Sequence, residues 1–140
     1  MSSITPGRFA GKKDLGVARR IFLKLGEVIK VKEDVMDAVT AVSGSGPAYY
    51  FLFTDILEKA ARACGLKRAL ARKLAMATFI GAAASADATG ISMHDFVKKV
   101  ASKGGTTEAA LRVFKQKGLE RIVKQAVRAA RKRSRTLRKT

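Results

Sequence analysis

The stretch AVSGSGPAYYFLF, residues 41–53, decides how the chain is to be read. Its paired glycines raise the question of a phosphate-cradling turn, which needs Gly-x-Gly-x-x-Gly between a buried strand and a helix. Gly44 and Gly46 fill the first two places. The third is Tyr49, a large side chain where close helix–strand packing leaves no room. The preceding residues do not read as a strand: Val35, Met36, Val39 and Val42 recur at helical spacing. The stretch is therefore a tight turn feeding a helix, with Pro47 at a first helical position, where its missing N–H costs nothing. That helix, from Pro47 to Cys64, is apolar all round over AYYFLFT and amphipathic over DILEKAARACG. A helix apolar on every side must be buried on every side, and a domain this small offers little cover. The pattern predicts self-association, with long helices shared between subunits.

Working outward, residues 1–11 read as a loop or frayed end, with Pro6, Gly7 and Gly11 among them. DLGVARRIFLKLG (14–26) carries Leu15, Ala18, Ile21, Phe22 and Leu25 on one helical face, with Gly26 at its end. EVIKV (27–31) alternates like one short strand, and nothing else in the chain reads as a partner for it. Residues 33–42 predict a helix with Glu33 and Asp34 in its first turn, on the favourable side of the dipole. Four more helices follow, over 67–90, 92–100 with Ser92 as N-cap, 108–116 and 119–139, the last with Leu119, Ile122, Val123, Ala126, Val127 and Ala130 on one stripe. The expected fold is all-α: a bundle of about six helices, with one short N-terminal strand.

The chain has 140 residues and a formal net charge of +18. Residues 33–114 are nearly neutral, with 10 basic and 8 acidic side chains, whereas 115–140 hold 11 basic and 1 acidic. The charge therefore sits at the ends. The half of the last helix after Ala130, RKRSRTLRK (131–139), has no apolar stripe and is expected to be solvated. Nucleic acid is not expected as a partner. One cysteine, Cys64, excludes an internal disulfide and suits a reducing, cytoplasmic setting. A single Cys and a single His cannot build a Cys/His zinc site. The apolar run Leu74–Ala86 is 13 residues long, too short to span a bilayer, and no membrane association is expected.

Taken together, MDAVTAVSGSGPAYYF (36–51), CGLKRALARKLAMATFIGAA (64–83) and VASKGGTTEAALRVFKQKGLERIVKQAV (100–127) resemble the C-terminal half of 1-pyrroline-5-carboxylate reductase. The resemblance covers roughly residues 20–135. It implies an interlocked dimer of the kind formed by the C-terminal domains of 6-phosphogluconate-dehydrogenase-type reductases, or a larger assembly of dimers. Ser43, Gly44, Ser45, Gly46, Pro47, Ala48 and Tyr49 would lie at the dimer interface. Residues 1–31 would be the end of a cofactor domain, and 32–140 the helical dimerisation and substrate domain with its basic tail. The family reduces pyrroline-5-carboxylate to L-proline with NAD(P)H. This chain holds no Gly-x-Gly-x-x-Gly, so it is expected to bind no cofactor alone and to need a Rossmann domain, on a separate chain if not its own. Where the family loop usually reads Ser-Pro-Gly-Gly-Thr-Thr, position 103 here is Lys.

That loop, SKGGTT (102–107), is the strongest candidate for chemistry. Its two glycines let successive N–H groups point one way, and the helix that follows adds its dipole, an arrangement suited to a carboxylate. By its residues alone it is as readily a helix–helix turn. The resemblance assigns Ser102, Gly104, Gly105, Thr106 and Thr107 to the carboxylate of proline or pyrroline-5-carboxylate. No catalytic residue and no metal ligand is expected. His94 reads as exposed, Cys64 as a small packing residue, Tyr49 and Tyr50 as core or interface, and Asp34 and Asp37 as too few to hold a metal. Two functions are open: the helical half of a reductase, inactive alone, or a non-enzymatic helical dimer binding a small carboxylate or an anionic polymer.

Overall fold

The structure, a computed structural model, describes residues 1–138. Residues 139 and 140, which end the expected basic tail, lie outside the described residues. The chain forms two compact units, Met1–Pro47 together with the chain from Val123 onward, and Ala48–Ile122. Six helices of eight residues or more run through the described residues, beside one two-stranded sheet. The all-α expectation holds for all but that sheet.

In the first unit, β1 (Ser2–Ile4) pairs in parallel with β2 (Val28–Lys30), Ser2 facing Val28 and Ile4 facing Lys30. The amide of Ser2 donates to the Glu27 carbonyl at 2.7 Å, and that of Val31 to the Ile4 carbonyl at 3.0 Å. Parallel strands need a crossover, and α1 (Lys12–Leu23) supplies it. This corrects the sequence reading: Ser2–Ile4 is a strand rather than a loop, and β2 has a partner. Three residues are too few to show an alternation. The α1 helix also stops earlier than Gly26, through a turn in which Leu25 donates to the Phe22 carbonyl at 2.9 Å.

The helix expected over residues 33–42 winds in three ways and runs on to residue 44. A 3-10 turn over Glu33–Val35 leads into α2 (Met36–Val39), and a widened π-helical turn over Thr40–Gly44 follows. Ser45 N–H closes that turn on the Thr40 carbonyl at 2.9 Å, and Ala41 is fully buried beneath it.

The last helix, α7 (Leu119–Leu137), reaches back to this segment. Ser134 Oγ donates to Asp37 Oδ1 at 2.9 Å. The Arg138 guanidinium lies 3.5 Å from Asp37 Oδ2 and 3.4 Å from Glu33 Oε1. Asp37 is only 6% exposed, and a buried carboxylate is tolerated when it is hydrogen-bonded and paired. The second half of α7, expected to be merely solvated, is thus fastened at two points by residues about a hundred positions away in sequence.

The second unit is helical throughout. It contains most of α3 (Gly46–Ala63), then α4 (Arg68–Thr89), α5 (Met93–Val100) and α6 (Thr106–Gln116). Left-handed glycines end three of these helices: Gly65 follows α3 with φ +93°, Gly90 caps α4 with φ +62° and Gly118 follows α6 with φ +73°. On α3, Tyr50 stacks tilted on Phe79 of α4, and Phe53 on Phe114 of α6, with ring centroids 6.0 and 6.3 Å apart. The buried positions are small: Ala71 and Ala75, one turn apart on α4, and Thr54, whose hydroxyl donates to the Tyr50 carbonyl at 2.8 Å. Among the described residues no large side chain is fully buried. Phe51 is 65% exposed and Leu52 59% exposed. The chain does not cover its own most apolar helix.

Candidate functional site

The SKGGTT segment joins α5 to α6. Ser92 caps the start of α5 by accepting from Asp95 N–H at 3.2 Å and donating to Asp95 Oδ2 at 2.7 Å. After Val100 the chain leaves the helix, and Gly105 N–H closes a tight turn on the Ser102 carbonyl at 3.0 Å. Gly104 adopts φ +74°, a left-handed conformation that side-chain-bearing residues rarely take. Gly105 is extended and is the N-cap of α6. A Cβ there would lie 2.5 Å from Ser102 Oγ and 3.0 Å from the Ser102 carbonyl oxygen. The Ser102 hydroxyl therefore lies over Gly105 because that residue has no side chain. Replacing Gly105 with alanine is expected to destabilise the loop by about 1–3 kcal/mol, the usual cost of overpacking. Thermal unfolding checks this, with Gly7→Ala as control, since nothing lies within 4 Å of a Cβ at Gly7.

The first turn of α6 begins with Thr106, Thr107 and Glu108. Their amides have no helical carbonyl ahead of them, and the dipole makes this end positive. Thr106 is exposed and Thr107 half-buried. Lys103 is exposed at the turn. One participant escaped the sequence reading: Gly104 N–H donates to Glu108 Oε2 at 2.5 Å. Glu108 is the third residue of α6, the place from which a glutamate reaches back to the residues before a helix. That spacing was the available signal. The loop already holds one carboxylate, its own.

The other singled-out residues stand apart from this loop. His94 is exposed. Cys64 is exposed rather than packed, a correction that follows from its place at the very end of α3 beside Gly65. Tyr49 is half-buried, and Tyr50 is 63% exposed despite its ring contact with Phe79. In the GSG turn, Gly46 is buried while Ser43, Gly44, Pro47 and Ala48 are exposed. The turn follows a helix, not a strand, so it is no phosphate cradle; α3 starts at Gly46, one residue ahead of Pro47. Among the described residues no three His, Cys, Asp or Glu side chains group to hold a metal.

The β1–α1–β2 unit is where a dinucleotide would bind if it bound here. A pyrophosphate sits on free amides at a helix N-terminus. At α1 that position is taken by the chain itself: Gly11 N–H donates to Asp14 Oδ2 at 2.8 Å. No glycine fingerprint precedes that helix. The residues present do not fit a dinucleotide.

Comparison with known proteins identifies the lineage. Residues 33–137 match the family described as pyrroline-5-carboxylate reductase dimerisation. The chain belongs to the pyrroline-5-carboxylate reductase family. It is 40% identical over 137 residues to the pyrroline-5-carboxylate reductase of Corynebacterium melassecola, covering 98% of this chain and 51% of that protein. The Synechocystis enzyme of the same name gives 40% identity with the same coverage. Among solved structures, the Coxiella burnetii pyrroline-5-carboxylate reductase superposes with TM-score 0.88 at 35% identity, over 97% of this chain and 51% of that one. The Plasmodium falciparum pyrroline carboxylate reductase, solved with NADP bound, gives TM-score 0.86 at 29% identity, over 96% of this chain and 52% of that one. The chain thus spans about half the length of the relatives it matches, and it corresponds to their C-terminal, dimerisation part. No described helix is long and apolar enough to cross a membrane.

Proposed function

We propose that this chain is the dimer-forming and substrate-holding half of a pyrroline-5-carboxylate reductase. Two copies associate through the uncovered face of α3, with Ser43 to Tyr49 at the interface, and further assembly of dimers is compatible with this. The observation that supports the substrate role is the glycine turn 102–107, which leads directly into the free first amides of α6, with Thr107 in that same first turn. There the carboxylate of pyrroline-5-carboxylate or proline accepts from the Thr106 and Thr107 amides and from Thr107 Oγ1. Ser102 and the glycines shape the turn. The contribution of these residues is to bind and orient the ring, holding its C=N bond in a fixed direction.

Reduction of that bond adds a hydride to carbon and a proton to nitrogen. This chain's residues do not fit a dinucleotide, so NAD(P)H is held by a Rossmann domain supplied elsewhere. No reductive step is assigned to residues of this chain.

Titration of the chain with proline tests the substrate role. A hydrogen bond to a charged group contributes about 1.5–3 kcal/mol. Thr107→Val is therefore expected to weaken binding roughly 10- to 150-fold, at about 1.4 kcal/mol per decade. Affinity unchanged in that variant would reduce the loop to a helix–helix turn.

A further inference from the structure

We infer that the C-terminal half of α7 is a docking surface for the phosphate backbone of duplex nucleic acid. Arg128, Arg131, Lys132 and Arg135 recur at i, i+3, i+4 and i+7. At about 100° per residue they fall within an arc of about 100° on one side of the helix. All four are exposed, and together they line an open groove of about 230 Å³. Among the described residues no carboxylate pairs with any of them. Arg138, one turn further on, is spent on Glu33 and Asp37.

The fastening of α7 adds what the sequence alone did not show. Ser134 and Arg138 hold this stretch of helix against the Glu33–Asp37 segment. The four cations are therefore presented together on a held helix rather than scattered along a loose tail. That spares most of the ordering entropy that a free tail would lose on binding.

The kind of partner follows from charge and shape. The four residues span about 11 Å of helix. Duplex nucleic acid carries one charge per about 1.7 Å, so roughly six phosphates face that length. A lipid surface fits less well. Val123 and Leu137, exposed apolar side chains of α7, lie across the helix from the cations, on the side that Ser134 fastens to Asp37, so the helix does not present them to a bilayer together with the cations. Single strands fit less well too, because residues 124–138 hold no aromatic ring on which bases could stack. With phosphates as the only contacts, binding is independent of sequence.

Fluorescence anisotropy of the full chain with a labelled 20-base-pair duplex tests the inference. Four neutralised phosphates set a slope of log K on log salt of about −3.6, a loss of about 150-fold between 50 and 200 mM. Arg128→Gln, Arg131→Gln, Lys132→Gln and Arg135→Gln combined should abolish the salt-dependent binding. The charge-matched control Lys12→Gln, Lys13→Gln, Arg19→Gln and Arg20→Gln on α1 should leave it within about threefold. Should the fourfold α7 variant lose its helical circular dichroism, Arg128→Gln with Arg135→Gln reads the same surface, reducing the slope by about 1.8. No duplex binding by the parent chain at 50 mM salt would overturn the inference. So would equal losses in the α7 and α1 variants, or preferential binding to phosphatidylserine vesicles. None of these readouts depends on proline binding or turnover.

Discussion

Replacing Phe51 and Leu52 with aspartate is expected to turn a folded dimer into separated, partly unfolded chains. These two side chains are 65% and 59% exposed on α3, flanked by Tyr50 and Phe53, and the chain has nothing of its own to lay over them. Covering a large apolar side chain contributes about 1.5–3 kcal/mol. A two-fold interface uses each residue twice, so even the lower figure amounts to about 6 kcal/mol. That is about a 10⁴-fold rise in dissociation constant before the cost of burying the new charges is added. Sedimentation of parent and variant at micromolar concentration measures it. A compact, stably folded monomer of the parent chain would refute the dimer. The interior argues the same way. Among the described residues Ala41, Ala71 and Ala75 are the only buried apolar ones, so the isolated chain has little core to hold it together.

The second large effect is on turnover. The purified chain is expected to leave NADPH unoxidised in the presence of pyrroline-5-carboxylate, with no rate above the uncatalysed background. Enzymes accelerate their reactions by about 10⁶-fold or more, and all of it is forfeited when the hydride donor has no seat. The reason lies in the sequence: its 140 residues hold no Gly-x-Gly-x-x-Gly turn to seat a pyrophosphate. Adding a separately expressed Rossmann half should restore oxidation if the chain is a reductase module. Turnover by the chain alone, free of contaminating reductase, would overturn the assignment of the cofactor to another segment. Failure of both mixtures, together with proline binding that depends on Thr107, would leave the non-enzymatic carboxylate-binding dimer.

Much of this molecule is written in short-range pattern. Helical periodicity placed every long helix to within a few residues, because each is set by which side chains recur every three or four positions and by the glycines and serines at its ends. Gly65 and Gly90 are examples: only a residue without a side chain takes their positive φ cheaply, and both stand where helices stop. The GSG turn was legible as a helix start for the same reason, since a helical pattern runs up to it and Pro47 follows. The glycine turn before Thr106 was legible too, and so was the lack of cover over AYYFLF.

Only the tertiary structure decided the rest. Ser2–Ile4 is a strand because Val28–Lys30 lies alongside it, across the α1 crossover; three residues carry too little alternation to announce that. Glu108 turned out to occupy the Gly104 amide, because which way a first-turn glutamate swings depends on the shape of the loop before it. The basic end read as a solvated charge run, yet Asp37 holds Ser134 from 97 positions away. A buried carboxylate and a hydroxyl have no periodicity to connect them. Sequence determines local structure through neighbours along the chain, whereas hydrogen bonds and ion pairs between distant residues exist only once folding has brought them within about 3 Å.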